Sequence, residues 1–202
     1  MTCILLLRHG HVAGIVPKRF RGQLDIPLSE EGREQALRAA DHVARYYQPQ
    51  AIYTSPLQRC RDSAAALSAK LSLPQPVPLQ GLNDIHYGLW QGRLAAQIAA
   101  EEPERYALWQ QSPQEMIFPQ GESLAVIAAR AGAEVAALAG KHGAQTIAVY
   151  SHDSVIRVLL LRALGSPFTA YHRVEVDPCS LSELRYEADG SIEVVRVNER
   201  TS

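Results

Sequence analysis

The chain has 202 residues, of which 47% are hydrophobic and 20% charged, and its formal net charge at pH 7 is -1. This length and composition predict one soluble globular domain over residues 1–202, and a charge so close to zero indicates neither a nucleic-acid partner nor an acidic membrane surface. The N-terminal residues show no basic leader and no long apolar run, so we expect no signal peptide and no transmembrane span. Three scattered cysteines favour reduced thiols in a cytoplasmic protein.

The first part of the chain alternates strands with helices. The run ILLL at residues 4–7 has no polar alternation, which is typical of a strand buried on both faces. An amphipathic helix is predicted over residues 28–47 with Ser29 as its N-cap, followed by a strand over residues 50–55 and a helix over residues 57–71. An extended segment follows, because the chain is then broken by Pro74, Pro76 and Pro78.

The second part continues the alternation after an insertion. Two short helices are predicted between Leu94 and Gln111, split at Pro103, within a small helical insertion at about residues 90–125. The later elements, in order, are a helix over 121–143, a strand over 146–151, a helix over 154–165, and short strands over 172–177, 181–187 and 191–198, with a hairpin turn at Asp189-Gly190. This order predicts an α/β fold with a mainly parallel sheet flanked by helices on both faces.

Three of the predicted strands end in basic or imidazole side chains. Arg8 and His9 follow the first strand, Arg59 lies just beyond the second, and His152 follows the strand over residues 146–151. Because ligands gather at the carboxyl ends of parallel strands, we expect these side chains to share one pocket. Their charges would repel in the absence of an anion, and Arg binds phosphate oxygens by paired hydrogen bonds. A histidine beside such arginines can attack phosphorus, since the neighbouring charges lower its pKa and keep the imidazole neutral.

Six stretches of the chain resemble the histidine phosphatase superfamily, the phosphoglycerate-mutase-like group. The stretches are LLLRHG at 5–10, RGQLDIPLSEEGREQA at 21–36, YTSPLQRCRDSA at 53–64, LNDIHYGLWQG at 82–92, FPQGES at 118–123 and VYSHDSVIR at 149–157. Their spacing is most similar to that of broad-specificity and alpha-ribazole phosphatases, and the chain lacks the longer insertion of cofactor-dependent phosphoglycerate mutases. The resemblance implies a phosphoglycerate-mutase-like fold with the helical insertion over the active site.

The resemblance also implies a metal-independent phosphoric monoester hydrolase without a cofactor. His9 would be the nucleophile that becomes a phosphohistidine, and Arg8 and Arg59 would bind the phosphoryl oxygens. His152 would donate a further hydrogen bond to the charge that develops in transfer. Asp84 stands where the family has a glutamate as general acid, with a side chain one methylene shorter.

Other positions depart from the family pattern or could contact the substrate. His11-Val12 and Ile15 stand where relatives commonly have polar residues near the phosphate, which favours a weaker phosphate affinity or a different substrate. The candidate substrate-pocket residues are His11, Arg21, His86 and Trp90, each with an ordinary surface or core position as its alternative. No grouping of His, Cys, Asp or Glu has convincing metal-ligand spacing, so no metal site is expected.

Three functions therefore stand as hypotheses. The leading one is a phosphomonoesterase that hydrolyses small phosphorylated metabolites through a phosphohistidine at His9. The second is a phosphoglycerate-type mutase, which returns the phosphoryl group to another hydroxyl. The third is a phospho-ligand binding protein with weakened catalysis, motivated by Asp84, Val12 and Ile15. Neither a membrane nor a nucleic-acid partner is expected, whereas the apolar tail strands could pair across a homodimer.

Overall fold

The protein is built around a six-stranded sheet, which the computed structural model describes within residues 1–201. The strand order is β3-β2-β4-β1-β5-β6. The strands are β1 Thr2–Arg8, β2 Ala51–Thr54, β3 Val77–Pro78, β4 Thr146–Ser151, β5 Leu181–Tyr186 and β6 Ile192–Glu199. The first four are parallel, whereas β5 and β6 form an antiparallel hairpin beside β1. The sheet is therefore mainly parallel, as the sequence predicts.

Helices cover both faces of this sheet. They are α1 Glu30–Tyr46, α2 Gln58–Leu71, α3 Ala95–Glu101, α4 Pro103–Gln111, α5 Leu124–Lys141 and α6 Asp153–Ala163. Ile4 and Leu6 of β1 pack in one apolar cluster with α5 and α6, whereas Leu5 and Leu7 pack in another with α1 and α2. Successive side chains of a strand point to opposite faces, so a strand with helices on both sides needs the unbroken ILLL run.

Several predicted local features are present in the structure. Ser29 is the N-cap of α1, where its hydroxyl accepts a hydrogen bond from the Gly32 amide. Pro103 is the first residue of α4, so the insertion is split where the sequence predicts. Gly10 allows close packing against α1, because a Cβ at Gly10 would lie 2.3 Å from the carbonyl oxygen of Gly32.

The predicted strand over residues 172–177 is wrong. Residues Phe168–Arg173 form a 3-10 helix, and the chain then runs irregularly to β5. The sheet position beside β1 is occupied by β5. The polar groups of the irregular segment bond elsewhere: the Val176 carbonyl accepts from Arg8, and the Asp177 amide donates to Asn198. Within the described residues, no helix has the length and apolar character needed to cross a membrane.

Candidate active site

His9 lies at the carboxyl end of β1 with its imidazole 1% exposed. Its Nδ1 is 2.7 Å from the carbonyl oxygen of Gly10. A carbonyl oxygen can only accept, so Nδ1 carries the proton and Nε2 holds a lone pair. Nε2 accepts a 3.2 Å hydrogen bond from Nε of Arg59. Nε2 is therefore the unprotonated, basic ring nitrogen of His9.

The surroundings of His9 keep its imidazole uncharged. Burial and the positive charges of Arg59 and Arg8 hold the pKa of His9 well below its ordinary value, against a small opposing effect of the Gly10 hydrogen bond. At neutral pH the ring is therefore a neutral nucleophile rather than an imidazolium.

Arg59 is fully buried at the start of α2 and is fixed by the loop between β1 and α1. Its two terminal nitrogens donate 2.7 Å hydrogen bonds to the carbonyl oxygens of Leu24 and Gly22. The second also donates a 3.1 Å hydrogen bond to Oδ2 of Asp84. One guanidinium therefore bridges the imidazole of His9 and the carboxyl group of Asp84.

Asp84 is 5% exposed and has its other oxygen occupied as well. Oδ1 accepts from the Ile85 amide at 2.8 Å and from the Ser154 hydroxyl at 2.5 Å. Burial raises the pKa of Asp84, although Arg59 and these hydrogen bonds oppose the shift. The carboxyl group is thus moved toward the protonated form that a general acid requires.

His152 is the N-cap residue of α6 and is fully buried beside His9. The two rings meet edge to face, with centroids 5.2 Å apart. Nε2 of His152 is 2.8 Å from the Ser55 hydroxyl, and its Nδ1 is 3.5 Å from Oδ2 of Asp84. Burial and the charge of Arg59 hold the pKa of His152 well below its ordinary value.

Asp84 and Arg8 line a cavity of about 180 Å³, whereas His9, Arg59 and His152 lie behind these residues and are not part of its lining. This volume is smaller than the roughly 300–1,000 Å³ typical of pockets for drug-sized ligands, which favours a small molecule. The cavity is lined by Arg8, Ile15, Lys18, Arg19, Phe20, Arg21, Gly22, Asp84, Tyr87, Trp109, Asp153, Arg157, Tyr171 and His172. A second cavity, of about 210 Å³ around Pro178, contains none of these residues.

The cavity is rich in hydrogen-bond donors that lack acceptors. Within residues 1–201, seven buried side-chain nitrogen or oxygen atoms have no partner, and four of them belong to residues that line this cavity. The four are Nε of Arg8, Arg21 and Arg157 and Nε1 of Trp109. All four are donors, so the neighbourhood suits a ligand made mostly of acceptor oxygens.

The structure brings Arg8, His9, Arg59, Asp84 and His152 together, but it separates the candidate substrate-pocket residues. Arg21 lines the cavity, whereas the other three candidates lie outside it. His11 bonds to Ser29 at the start of α1, His86 accepts from the Gly88 amide, and Trp90 is buried in the apolar cluster of the insertion.

Val12 and Ile15, the two apolar departures from the family pattern, lie in different parts of the structure. Val12 is fully buried in the core, forms a bridge with Leu28 and does not line the cavity. Ile15 lines the cavity. Of the two, only Ile15 therefore places an apolar side chain in the cavity, at a position where relatives commonly have a polar residue.

The sequence analysis missed several cavity residues, among them Lys18, Asp153, Arg157 and His172. A signal existed for two of them, because Asp153 directly follows His152 and Arg157 is four residues further on the same helix face. Lys18 and His172 come from irregular or 3-10 segments without a periodic pattern. Within the described residues, no cluster of three or more His, Cys, Asp or Glu could hold a metal ion.

The chain resembles known proteins in sequence over most of its length. Residues 4–200 match the model of the histidine phosphatase superfamily, branch 1. The chain is 31% identical over 163 residues to a metal-independent phosphoserine phosphatase of Arabidopsis thaliana, covering 80% of this chain and 68% of that protein. It is 33% identical over 199 residues to a bifunctional protein of Mycobacterium tuberculosis; the match covers 98% of this chain but spans only 54% of that protein.

Solved structures show the same fold. The mycobacterial glucosyl-3-phosphoglycerate phosphatase complexed with VO3 is 30% identical, and the match covers 98% of both chains with a TM-score of 0.87. A resemblance limited to one part of the chain would not cover 98% of both chains. The fold is thus shared over almost the whole chain.

Proposed function

The chain belongs to the histidine phosphatase superfamily, and from that premise we propose that it hydrolyses small phosphorylated metabolites through a phosphohistidine at His9, without a metal. The observation that carries the proposal is the tautomer of His9. Its proton is held on Nδ1 by the Gly10 carbonyl, which leaves the Nε2 lone pair for attack on phosphorus.

In the first step, Nε2 of His9 attacks phosphorus and the bond from phosphorus to the ester oxygen breaks. Asp84 gives its proton to that oxygen, so that an alcohol rather than an alkoxide leaves. Arg8 and Arg59 bind the phosphoryl oxygens and balance the charge of the transition state. Arg59 exchanges its hydrogen bond with His9 for one with the incoming phosphoryl group. His152, buried beside His9, donates a further hydrogen bond to that group.

In the second step, water attacks the phosphohistidine. The carboxylate of Asp84, formed in the first step, takes a proton from the water as the new bond to phosphorus forms. The bond from Nε2 of His9 to phosphorus breaks, inorganic phosphate leaves, and both residues return to their initial protonation states. The short link from Asp84 to Ser154 fixes the carboxyl group for both proton transfers.

Similarity to enzymes of known name supports a phosphatase over a mutase. One relative is named a phosphoserine phosphatase and another a glucosyl-3-phosphoglycerate phosphatase. We extend to this chain the common part of those names, a phosphate monoester of a small polar molecule. The three cysteines are free thiols, which supports a cytoplasmic location.

The experiment is phosphate release from p-nitrophenyl phosphate and a panel of metabolite phosphates, with EDTA present throughout. The decisive variant is His9→Ala, and His11→Ala is its matched control, since His11 is two residues away and its ring bonds to Ser29 rather than to Arg59. We expect release by the wild type and by His11→Ala but not by His9→Ala. A stoichiometric, acid-labile phosphoryl adduct on the wild type would identify the intermediate.

Two results would replace the proposal. Interconversion of monophosphoglycerates faster than phosphate release would identify a mutase. Tight binding of phosphorylated ligands by a wild type that releases no phosphate would identify a binding protein. Asp84 and Ile15 would then be the first positions to change to the glutamate and the polar residue of the family pattern.

A further inference from the structure

The backbone that carries Asp84 has no regular secondary structure. Residues 83–86 form neither helix nor strand. Such a segment has no regular ladder of hydrogen bonds, so its buried amide and carbonyl groups need other partners. Asp84 itself is 5% exposed. The place of its carboxyl group, on which the proposed mechanism depends, is therefore set by the groups that hold this irregular backbone.

Arg130 of α5 supplies most of these partners. A guanidinium has five N–H donors, and each of the five in Arg130 has an acceptor. Nη1 donates to the carbonyl oxygens of Gly81 and Asn83 at 2.9 and 2.7 Å, and Nη2 donates to the carbonyl oxygen of Asp84 at 2.8 Å. The other two donors bind the two carboxylate oxygens of Glu122 at 2.8 and 2.9 Å. One side chain therefore holds three carbonyl groups at and just before the proposed acid.

Glu122 holds the same segment just after Asp84. Its Oε2 accepts a 2.9 Å hydrogen bond from the His86 amide, and its own amide donates a 2.9 Å hydrogen bond to the His86 carbonyl. The paired contact between Arg130 and Glu122 is charge-assisted, and the two side chains are only 22% and 19% exposed. Because a partly buried pair is screened less than a surface pair, it forms a firm support on both sides of Asp84.

Arg130 and Glu122 stand outside the lining of the cavity, so their effect on the reaction passes through Asp84. The carboxyl group of Asp84 is bound separately, by Arg59 at 3.1 Å and by Ser154 at 2.5 Å. These two contacts orient the carboxyl group, whereas the other pair fixes the backbone from which it projects. An aspartate has one side-chain torsion fewer than a glutamate, so it is less able to correct for a displaced backbone.

We propose that Arg130 and Glu122 are positioning residues for the proton transfer from Asp84 to the ester oxygen, because they hold residues 81–86 where the carboxyl group can reach that oxygen. This inference rests on the proposed function and deepens it, since it names residues outside the cavity on which one part of the chemistry depends. Loss of the pair therefore impairs protonation of the leaving group far more than the attack of His9 on phosphorus.

The test compares kcat/KM for two esters in the wild type and in Arg130→Met. One ester is p-nitrophenyl phosphate, whose leaving group departs without a proton, and the other is the alkyl phosphate of the panel that the wild type hydrolyses fastest. Because kcat/KM reports the steps up to departure of the leaving group, hydrolysis of the phosphohistidine does not enter the comparison. We expect a loss of about tenfold to a hundredfold for the alkyl ester, the scale of a misplacement near 1 Å, and of less than about threefold for the aryl ester. Equal losses on the two esters would overturn the inference, since they would show a structural role only.

Further variants show whether the effect passes through Asp84. In an Asp84→Asn chain, Arg130→Met should no longer change the ratio of the two kcat/KM values, and a further selective loss on the alkyl ester would overturn the inference. Arg130→Lys keeps the charge but has only three donors and no planar fork, so its selective loss should be smaller; it also serves for the comparison if Arg130→Met does not fold in urea titrations. The matched control is Arg162→Met, because Arg162 donates a 2.7 Å hydrogen bond to the Ala128 carbonyl of the same helix α5. The same selective loss in this control would overturn the inference.

A measurement without turnover separates this inference from the proposed function. The pKa of the Asp84 carboxyl group is followed by NMR of its carboxyl carbon, which is identified by its loss in Asp84→Asn. Arg130→Met should shift this pKa by more than Arg162→Met does, because a displaced carboxyl group loses contact with Arg59 and Ser154. Phosphate release by the wild type, with an unshifted pKa and equal losses on both esters, would overturn the inference and leave the phosphatase intact. No release from any ester would overturn the phosphatase, and a shifted pKa would then still show that Arg130 positions Asp84.

Discussion

His9 and Arg59 are joined by a 3.2 Å hydrogen bond from guanidinium Nε to imidazole Nε2, which links the end of β1 to the start of α2. The guanidinium can only donate, so this bond exists only while Nε2 is unprotonated. Protonation of His9 would break it and would place an imidazolium between two arginines. The contact therefore couples the protonation state of the nucleophile to the packing of two core elements.

The first prediction is a loss of stability in mild acid. His9 and His152 have lowered pKa values in the folded protein. Below the unfolded pKa of about 6.5 the unfolded chain then binds more protons than the folded one, so the free energy of unfolding falls as pH falls. The limiting slope is about 1.4 kcal/mol per pH unit for each histidine. Urea unfolding between pH 7.5 and 5 measures it.

The variant that tests this effect is His152→Asn, which should remove the share of His152, up to about 1.4 kcal/mol per pH unit in that window. Asp84 titrates in the opposite sense, since a raised carboxyl pKa favours the folded state at low pH. Identical slopes for wild type and variant would show that His152 does not stay neutral in the folded protein.

The second prediction concerns Asp84 as the proton donor. Asp84→Asn cannot protonate the leaving oxygen, so hydrolysis of an alkyl phosphate should fall by about 10²–10⁴. p-Nitrophenolate leaves without a proton, and hydrolysis of its ester should fall much less. The comparison of kcat/KM for phosphoserine and p-nitrophenyl phosphate measures the difference. Equal losses on both esters would assign Asp84 to positioning instead.

The third prediction concerns the buried pair of Arg59 and Asp84, which are 3.1 Å apart. Arg59→Met leaves a buried carboxylate without its partner and should lower the free energy of unfolding by about 3–5 kcal/mol at pH 7. Asp84→Asn in the same chain removes the uncompensated charge and should restore part of that loss. Chemical denaturation of the two single variants and the double variant gives the coupling, and strict additivity would contradict a direct interaction.

The sequence predicts the strand ends well because their signals are local. The ILLL run, the Ser29 cap and the histidines after two strands need only neighbouring residues and the rule that parallel strands share an edge. The part of the cavity that Lys18 and His172 line has no such signal. His172 lies in a short 3-10 helix without an apolar period, and the nearby Val176 carbonyl is fixed by a side chain 168 positions earlier in the chain, that of Arg8.

The last prediction tests why a glycine follows His9. A Cβ at Gly10 would lie 2.3 Å from the Gly32 carbonyl oxygen, and backbone at both positions leaves little room to adjust. Gly10→Ala should therefore lower the free energy of unfolding by about 1–3 kcal/mol, the usual cost of overpacking. It should also reduce kcat, because the displaced segment includes the Gly10 carbonyl that orients His9.

The matched control for this prediction is Gly140→Ala. Gly140 lies within α5, and a Cβ there would meet no atom within 4 Å. Because alanine is the better helix former, this variant should be more stable by about 0.5–1 kcal/mol with unchanged kcat. Thermal unfolding and phosphate release measured on both variants decide the matter. A Gly10→Ala protein as stable and active as the wild type would mean that β1 and α1 can separate at this point without moving the nucleophile.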